Sequence, residues 1–276
     1  MATPGAKDSR PRLPTLYLSH GGGPCFWMSF PPPFGPHGWD RLADYLRGVL
    51  ASLPARPRAI LLVSAHWEMA RPTVGAGAAP PMLFDYYGFP EHTYRLNYPA
   101  PGSPALAREV RDLLAAAGIA SDVDPERGFD HGVFVPMLLI NPQADIPVAT
   151  LSLQESLDPA QHLAIGRALA PLRDQGVLIV GSGSSFHNLA TFQDGDSRDS
   201  LVFDQWLTEA ATLPDAKTRN ERLALWSQAP RARACHPREE HLLPLMVAAG
   251  AAGEDVGRLA FTDLIGGKRL SGYVFG

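Results

Sequence analysis

The chain carries nine histidines, and their placement is uneven. His20 closes the apolar run TLYLSH (15–20), and His66 closes AILLVSAH (59–66). His187 follows the run VLIVGSG (177–183) within SGSSFHN. In open α/β sheets, ligands bind at the carboxyl ends of the strands, so three histidines at three strand ends can converge although they lie far apart in sequence. Neutral imidazole is the commonest protein ligand for zinc and iron. A site with three protein ligands and an open position is catalytic in type. A lone histidine after a strand is more often a hydrogen-bonded loop residue, and His66 alone would be read that way. His20, His66 and His187 together favour a metal. His131, in FDHG, precedes the apolar segment VFVPMLLI, and His236 and His241 lie in CHPREEH at the start of a late helix. His37, His92 and His162 lack such placement: His92 reads as a loop residue, and His162 as a surface or boundary residue of a helix. No CxxC pair or HExxH is present.

Gly21, Gly22 and Gly23 follow His20 and allow a tight turn beside a ligand. GSGSSFHN does not meet GxSxG, which weakens a serine hydrolase. Cys25 and Cys235 read as ordinary buried thiols rather than ligands.

The elements that would hold these residues follow from pattern. The runs 15–20, 59–66, 146–153 and 177–183 are continuously apolar, as in strands of a sheet covered on both faces. Helical spacing appears in GWDRLADYLRGVLASL (38–53). SPALAREVRDLLAAAG has Ser103 as N-cap, Pro104 in the first turn and Gly118 as stop. DPAQHLAIGRALAPLRDQG repeats the device with Asp158, Pro159 and Gly176. REEHLLPLMVAAGAA reads as a further helix with Glu239 and Glu240 in its first turn, where the dipole favours acids. Alternating strands and helices argue for an α/β fold: one domain with a central, mostly parallel or mixed sheet flanked by helices. Two alternating runs around Gly266-Gly267 read as a C-terminal β-hairpin at a sheet edge. Residues 75–100 read as a long ordered surface loop, and residues 1–13 as a flexible N-terminal segment.

Composition sets outer bounds. Hydrophobic residues at 45% and charged residues at 19% describe a globular chain, and a net charge of −4 argues against nucleic acid as the partner. No run of about 18 apolar residues exists, so no membrane span is expected. The first residues lack the apolar core of a signal peptide, so the expected location is cytoplasmic. A monomer or a small homo-oligomer is expected.

Taken as a set, LSHGGGP (18–24), VSAHWE (63–68), FDYYGFPEHTYRLNYPAPGSPALA (84–107), GFDHGVFVPM (128–137), DIPVATLSL (145–153), GSGSSFHNL (181–189) and EEHLLPLMVAAGAA (239–252) resemble the class III extradiol ring-cleavage dioxygenases, in the DOPA 4,5-dioxygenase-like branch of the LigB superfamily. The resemblance spans most of the chain and implies a single catalytic LigB-like domain over 1–276. It implies metal binding by His20, His66 and His241, with His187 as a further ligand or as the acid–base group. It also implies His131 as a second catalytic histidine lining the pocket, and it selects His241 over His236. The implied cofactor is Fe(II), with Zn(II) possible, because three histidines replace the two-histidine, one-carboxylate triad of the wider class. The implied partners are a small aromatic diol and O2, and the implied product is a muconic semialdehyde. On this reading His187 takes up catechol protons, and His131 orients the substrate or stabilises negative charge. Trp67, Phe26, Trp27 and Phe186 adjoin the ligands and would stack on an aromatic ring or pack beneath the site. Ser185 and Asn188 would bond substrate or cap loops. The rival readings on the same histidines are a zinc-dependent hydrolase and a non-enzymatic, Memo-like binding protein.

Overall fold

A computed structural model of the chain describes residues 11–192 and 194–276. In chain order the elements are β1 (Thr15–Ser19), α1 (Asp40–Ser52), β2 (Ala59–Met69), β3 (Thr73–Gly75), α2 (Pro104–Ala116), β4 (Asp122–Asp124), α3 (His131–Ile140) and β5 (Val148–Gln154). There follow α4 (Pro159–Leu169), β6 (Val177–Gly183), α5 (Arg198–Ala211), α6 (Ala216–Ala224), α7 (Ala232–Cys235), α8 (Leu243–Ala252), β7 (Gly257–Ile265) and β8 (Lys268–Phe275).

The strands form one eight-stranded sheet in the order β4-β3-β5-β2-β6-β1-β8-β7. Its centre, β5-β2-β6-β1, is parallel throughout, so the carboxyl ends of these four strands lie on one edge. Their unbroken apolar runs follow from burial on both faces. Successive side chains point to opposite sides: Leu61 and Val63 join the core beneath α2, α4, α5 and α8, whereas Ile60 and Leu62 join the core beneath α1 and α3. The chain is therefore a single-domain α/β protein with a mixed sheet. The C-terminal hairpin is present: Gly266 and Gly267 both take positive φ between β7 and β8, with β7 at the sheet edge.

Local capping chemistry places the helices. The Ser103 side chain accepts from the backbone of Leu106, and that of Asp158 from Ala160, each ahead of a proline. Gly118 and Gly176 take the left-handed conformation beyond the ends.

Three expectations need correction, and four helices lie where the apolar pattern made no assignment. The late helix begins at Leu243, so Glu239 and Glu240 stand in the turn before it; Pro244, lacking an N–H, belongs in the first turn and sets the start there. VFVPMLLI is the body of α3, a helix buried on all sides, and its first residue is His131. Three helices, α5 to α7, occupy a stretch that the apolar pattern does not single out. The segment 75–100 is not all surface, since Tyr98 and Thr93 are fully buried. His162 is also fully buried: its Nδ1–H donates to the Asp158 carbonyl, and its Nε2 accepts from the backbone of Gln154. Of the expected N-terminal flexible segment, residues 1–10 lie outside the described residues; Leu13 is buried and its carbonyl accepts from Arg173.

Candidate metal centre

Three side chains meet at the carboxyl edge of the parallel strands. His20 directly follows β1. His66 lies in the last third of β2, where pairing with β5 breaks between Val63 and Glu68, an irregularity of the kind that re-aims side chains. His241 stands in the turn before α8. A Cβ on Gly183, at the end of β6, would overlap the His241 carbonyl, so glycine there lets the turn lie directly on the strand end. That carbonyl accepts from the backbone of Ser184 and from Tyr17 Oη.

The Nε2 atoms of His20 and His66 lie 3.1 Å apart, and those of His66 and His241 3.3 Å apart. Nitrogens held about 2.0–2.1 Å from one ion stand roughly 3.0–3.4 Å apart, so the spacing suits a shared ligand. Protonation points the same way. Ser182 Oγ donates to the Gly132 carbonyl at 2.5 Å and can therefore only accept from His20 Nδ1–H at 3.1 Å. His241 Nδ1–H donates to Glu240 Oε1 at 2.9 Å. Both rings thus carry their proton on Nδ1 and turn a bare Nε2 lone pair to the centre. His66 Nδ1 faces Asp85 Oδ2 at 3.7 Å. Burial, reinforced by the neighbouring imidazoles, pushes His20 and His66 well below the usual histidine range. Burial also drives His241 down to about 3, against the opposing pull of Glu240. Neutral rings with lone pairs converging at these distances repel one another unless a cation lies between them, so this donor set fits a metal ion.

Two further histidines flank the triangle. The His131 ring lies 3.9 Å from that of His66, centroid to centroid, and its Nδ1 donates to Asp85 Oδ1 at 2.7 Å. His187 stacks on His241 at 3.3 Å, and its Nδ1 meets Glu240 Oε1 at 3.0 Å. Glu240 Oε1 thus serves His187 and His241 together. His187 groups with Glu240 and His241 rather than with the three Nε2 atoms. Burial would push the carboxyls of Glu240 and Asp85 up, but the hydrogen bonds from the histidines outweigh it and hold both below the carboxylate range.

A third carboxylate braces the frame. Asp130, fully buried at the head of α3, accepts from Ser64 Oγ at 2.7 Å and from Arg127 at 2.8 Å. Burial, with repulsion from Asp85, pushes it up. Arg127 also reaches the His66 carbonyl and lies over Trp67, which buries the indole away from the cavity.

The five histidines line one cavity of about 410 Å³. Of the aromatic residues expected beside the ligands, only Phe186 lines it; Trp67, Phe26 and Trp27 do not. The ring walls come instead from Phe30, Phe34, Trp39, Tyr86, Phe89 and Phe192. Ser185 and Asn188 bond backbone: Ser185 Oγ accepts from Ser271, and Asn188 caps Ala190 and Ala234. His236 is buried outside the cavity with Nε2 on the Ser185 carbonyl. His37 and His92 are exposed, and Cys25 and Cys235 are buried free thiols pushed upward by burial.

The residues that sequence reasoning missed are the carboxylates. Glu240 carries a signal, an acid adjoining a histidine in EEH. Asp85 lies 46 residues from His131, and nothing local announces the pairing.

The family model for the catalytic LigB subunit of aromatic ring-opening dioxygenase matches residues 14–268. Dioxygenase tasH of Hapsidospora irregularis is 39% identical over 95% of this chain and 85% of its own length. The 4,5-DOPA dioxygenase extradiol of Beta vulgaris is 45% identical over 72% of this chain and 75% of its own, and that of Escherichia coli strain K12 is 36% identical over 90% of each. An uncharacterised protein of Escherichia coli K12, known from its crystal structure, superposes with a TM-score of 0.76 at 30% identity, covering 96% of this chain and 100% of that one. With strand-end histidines converging under one family's motifs along nearly the whole chain, the protein belongs to the LigB family and is an aromatic ring-opening dioxygenase of the extradiol, class III type.

Proposed function

We propose that the enzyme opens the ring of a catechol beside its two hydroxyls with O2, giving a muconic semialdehyde, and that it does so with Fe(II) held by His20, His66 and His241. The convergence of three imidazoles on one point, two of them with their proton fixed on Nδ1, carries this reading. Fe(II) bound there would supply a Lewis acid and a template that brings diol and O2 together.

The chain's own residues supply the rest. His187, with Nδ1 committed to Glu240, keeps Nε2 as its free nitrogen at the cavity; it takes a proton from a diol hydroxyl and returns it as the ring opens. Of the two roles implied for His187, the geometry favours acid–base over ligand, because its partners are Glu240 and the face of His241. His131, oriented by Asp85, presents its own Nε2 to the substrate and, once protonated, stabilises negative charge on a reacting oxygen. The aromatic walls exclude water and stack on the substrate ring. Two buried free thiols suit a reducing, cytoplasmic setting.

The test is anaerobic reconstitution with Fe(II), addition of a catechol panel, and admission of O2 while visible absorbance and O2 uptake are followed. A yellow product formed with stoichiometric O2 uptake is expected. Absence of both with every catechol sinks the reading. Because a three-histidine set also suits zinc, a Zn(II)-loaded sample belongs alongside; it should not consume O2.

A further inference from the structure

The metal centre takes up one end of the cavity, and the remaining wall is apolar. Phe34 stacks between Trp39 at 5.8 Å and Phe192 at 5.6 Å, and Phe186 meets Phe192 edge-on at 5.6 Å. Leu189 and Leu270 complete that side. The stack is built in: a Cβ on Gly266, in the β7–β8 turn, would overlap the Phe34 ring.

The side-chain hydroxyls on this wall are already committed. Tyr86 Oη donates to the Thr93 carbonyl at 2.7 Å, and Ser184 Oγ to the Phe186 carbonyl at 2.8 Å. Trp39 Nε1–H is unpartnered, but the atom is buried within the protein rather than exposed to the cavity. Lys268 lies across the Phe186 ring, at 5.4 Å, where it donates to Asp194 at 2.6 Å and to the Asp196 carbonyl. Among the described residues, the lining includes no lysine, arginine, aspartate or glutamate. A carboxylate or ammonium brought against such a wall loses its water and gains no oppositely charged side chain, whereas an alkyl or aryl group gains burial. The cavity is larger than a bare catechol ring needs and lies in the ordinary range for small-molecule sites.

From this wall we infer that the substrate is a catechol with an uncharged, apolar substituent, alkyl or aryl, and not a catechol bearing an amino-acid or carboxylate side chain. The inference rests on the proposed placement of the diol at the histidine centre and deepens that reading by naming the substrate class.

Three catechols matched in chain length separate charge from size: 4-propylcatechol, 3-(3,4-dihydroxyphenyl)propionate and L-DOPA. Each is titrated anaerobically into the Fe(II)-reconstituted enzyme for Kd, and O2 is then admitted for kcat/KM. Binding of 4-propylcatechol at least about ten-fold tighter than either charged analogue is expected, with the same order in kcat/KM. Leu189→Arg, at an exposed position on the rim, should narrow the gap for the propionate. Equal or tighter binding of a charged analogue by the unaltered enzyme overturns the inference. If the binding order is as expected and no catechol is opened, the ring-cleavage reading fails and the apolar specificity stands.

Discussion

At the scale of single residues, the centre depends on where each imidazole keeps its proton. Nδ1–H is held by Ser182 for His20 and by Glu240 for His241, and this leaves Nε2 for a metal. His66→Ala removes the nitrogen that lies within reach of both others, and metal content measured on purified protein should fall to background. His187→Ala leaves the triangle intact, so metal should stay while kcat falls roughly 10²–10⁴-fold, the usual weight of a general acid–base group. Full metal occupancy with unchanged turnover in His66→Ala would sink the assignment. Glu240 acts through others: one of its oxygens holds both His187 and His241. Glu240→Gln can still accept but has lost the charge, so about 10–100-fold in metal affinity should go with part of kcat, as for other residues that orient ligating histidines. Loss of kcat alone would mean that the carboxylate serves only His187.

Secondary-structure elements matter through the close approach of α8 to β6. The strand end at Gly183 touches the turn that carries His241, backbone to backbone. Gly183→Ala places a methyl against a carbonyl that no rotamer can move. A loss of about 1–3 kcal/mol is expected from this overpacking, read as a lower Tm by calorimetry, together with weaker metal retention. An unchanged Tm would show that the turn yields easily and is not what positions His241. On the opposite side, α3 begins at His131 directly after Asp130, whose side chain makes no cap bond but instead bonds Ser64 and Arg127, tying the helix head to the strand bearing His66. The elements that carry His66 and His131 are thereby tied through one buried acid.

At the scale of the whole molecule, the fold buries two further histidines away from the metal centre, His236 and His162. Burial lowers His236 to about 4, and His162 is lowered for the same reason. A histidine whose folded pKa lies below its unfolded value near 6.5 binds its proton more readily once unfolded, so its contribution is fully present above about pH 6.5 and is lost as pH falls toward 4. For His236 alone the loss is about 2–4 kcal/mol. Urea denaturation of the metal-free protein at pH 7.5 and pH 5 should show this fall, and His236→Gln should make it smaller, the remainder coming from the other lowered histidines; equal stability at both values would mean that the rings charge without cost to the fold.

Much of this architecture was legible in the chain. The parallel strands were readable because strands buried on both faces must be apolar throughout, and the capped helices because Ser103, Asp158, Gly118 and Gly176 act within a few residues of themselves. His20, His66 and His187 could be placed at strand ends for the same local reason. By contrast, α3 reads in sequence as one more apolar run because a helix buried all round shows no periodicity, and the acids of EEH suit a helix start that the structure places later, at Leu243. The sequence by itself determined the parallel frame, the strand-end histidines and, through its motifs, the family. Only the tertiary structure decided which atoms converge, that Glu240 and Asp85 hold the flanking rings, and that the rest of the cavity wall is aromatic. The physical reason is range. Capping and alternation act within a turn or a strand, whereas a carboxylate and an imidazole 46 residues apart meet only after the sheet has brought their elements to one edge.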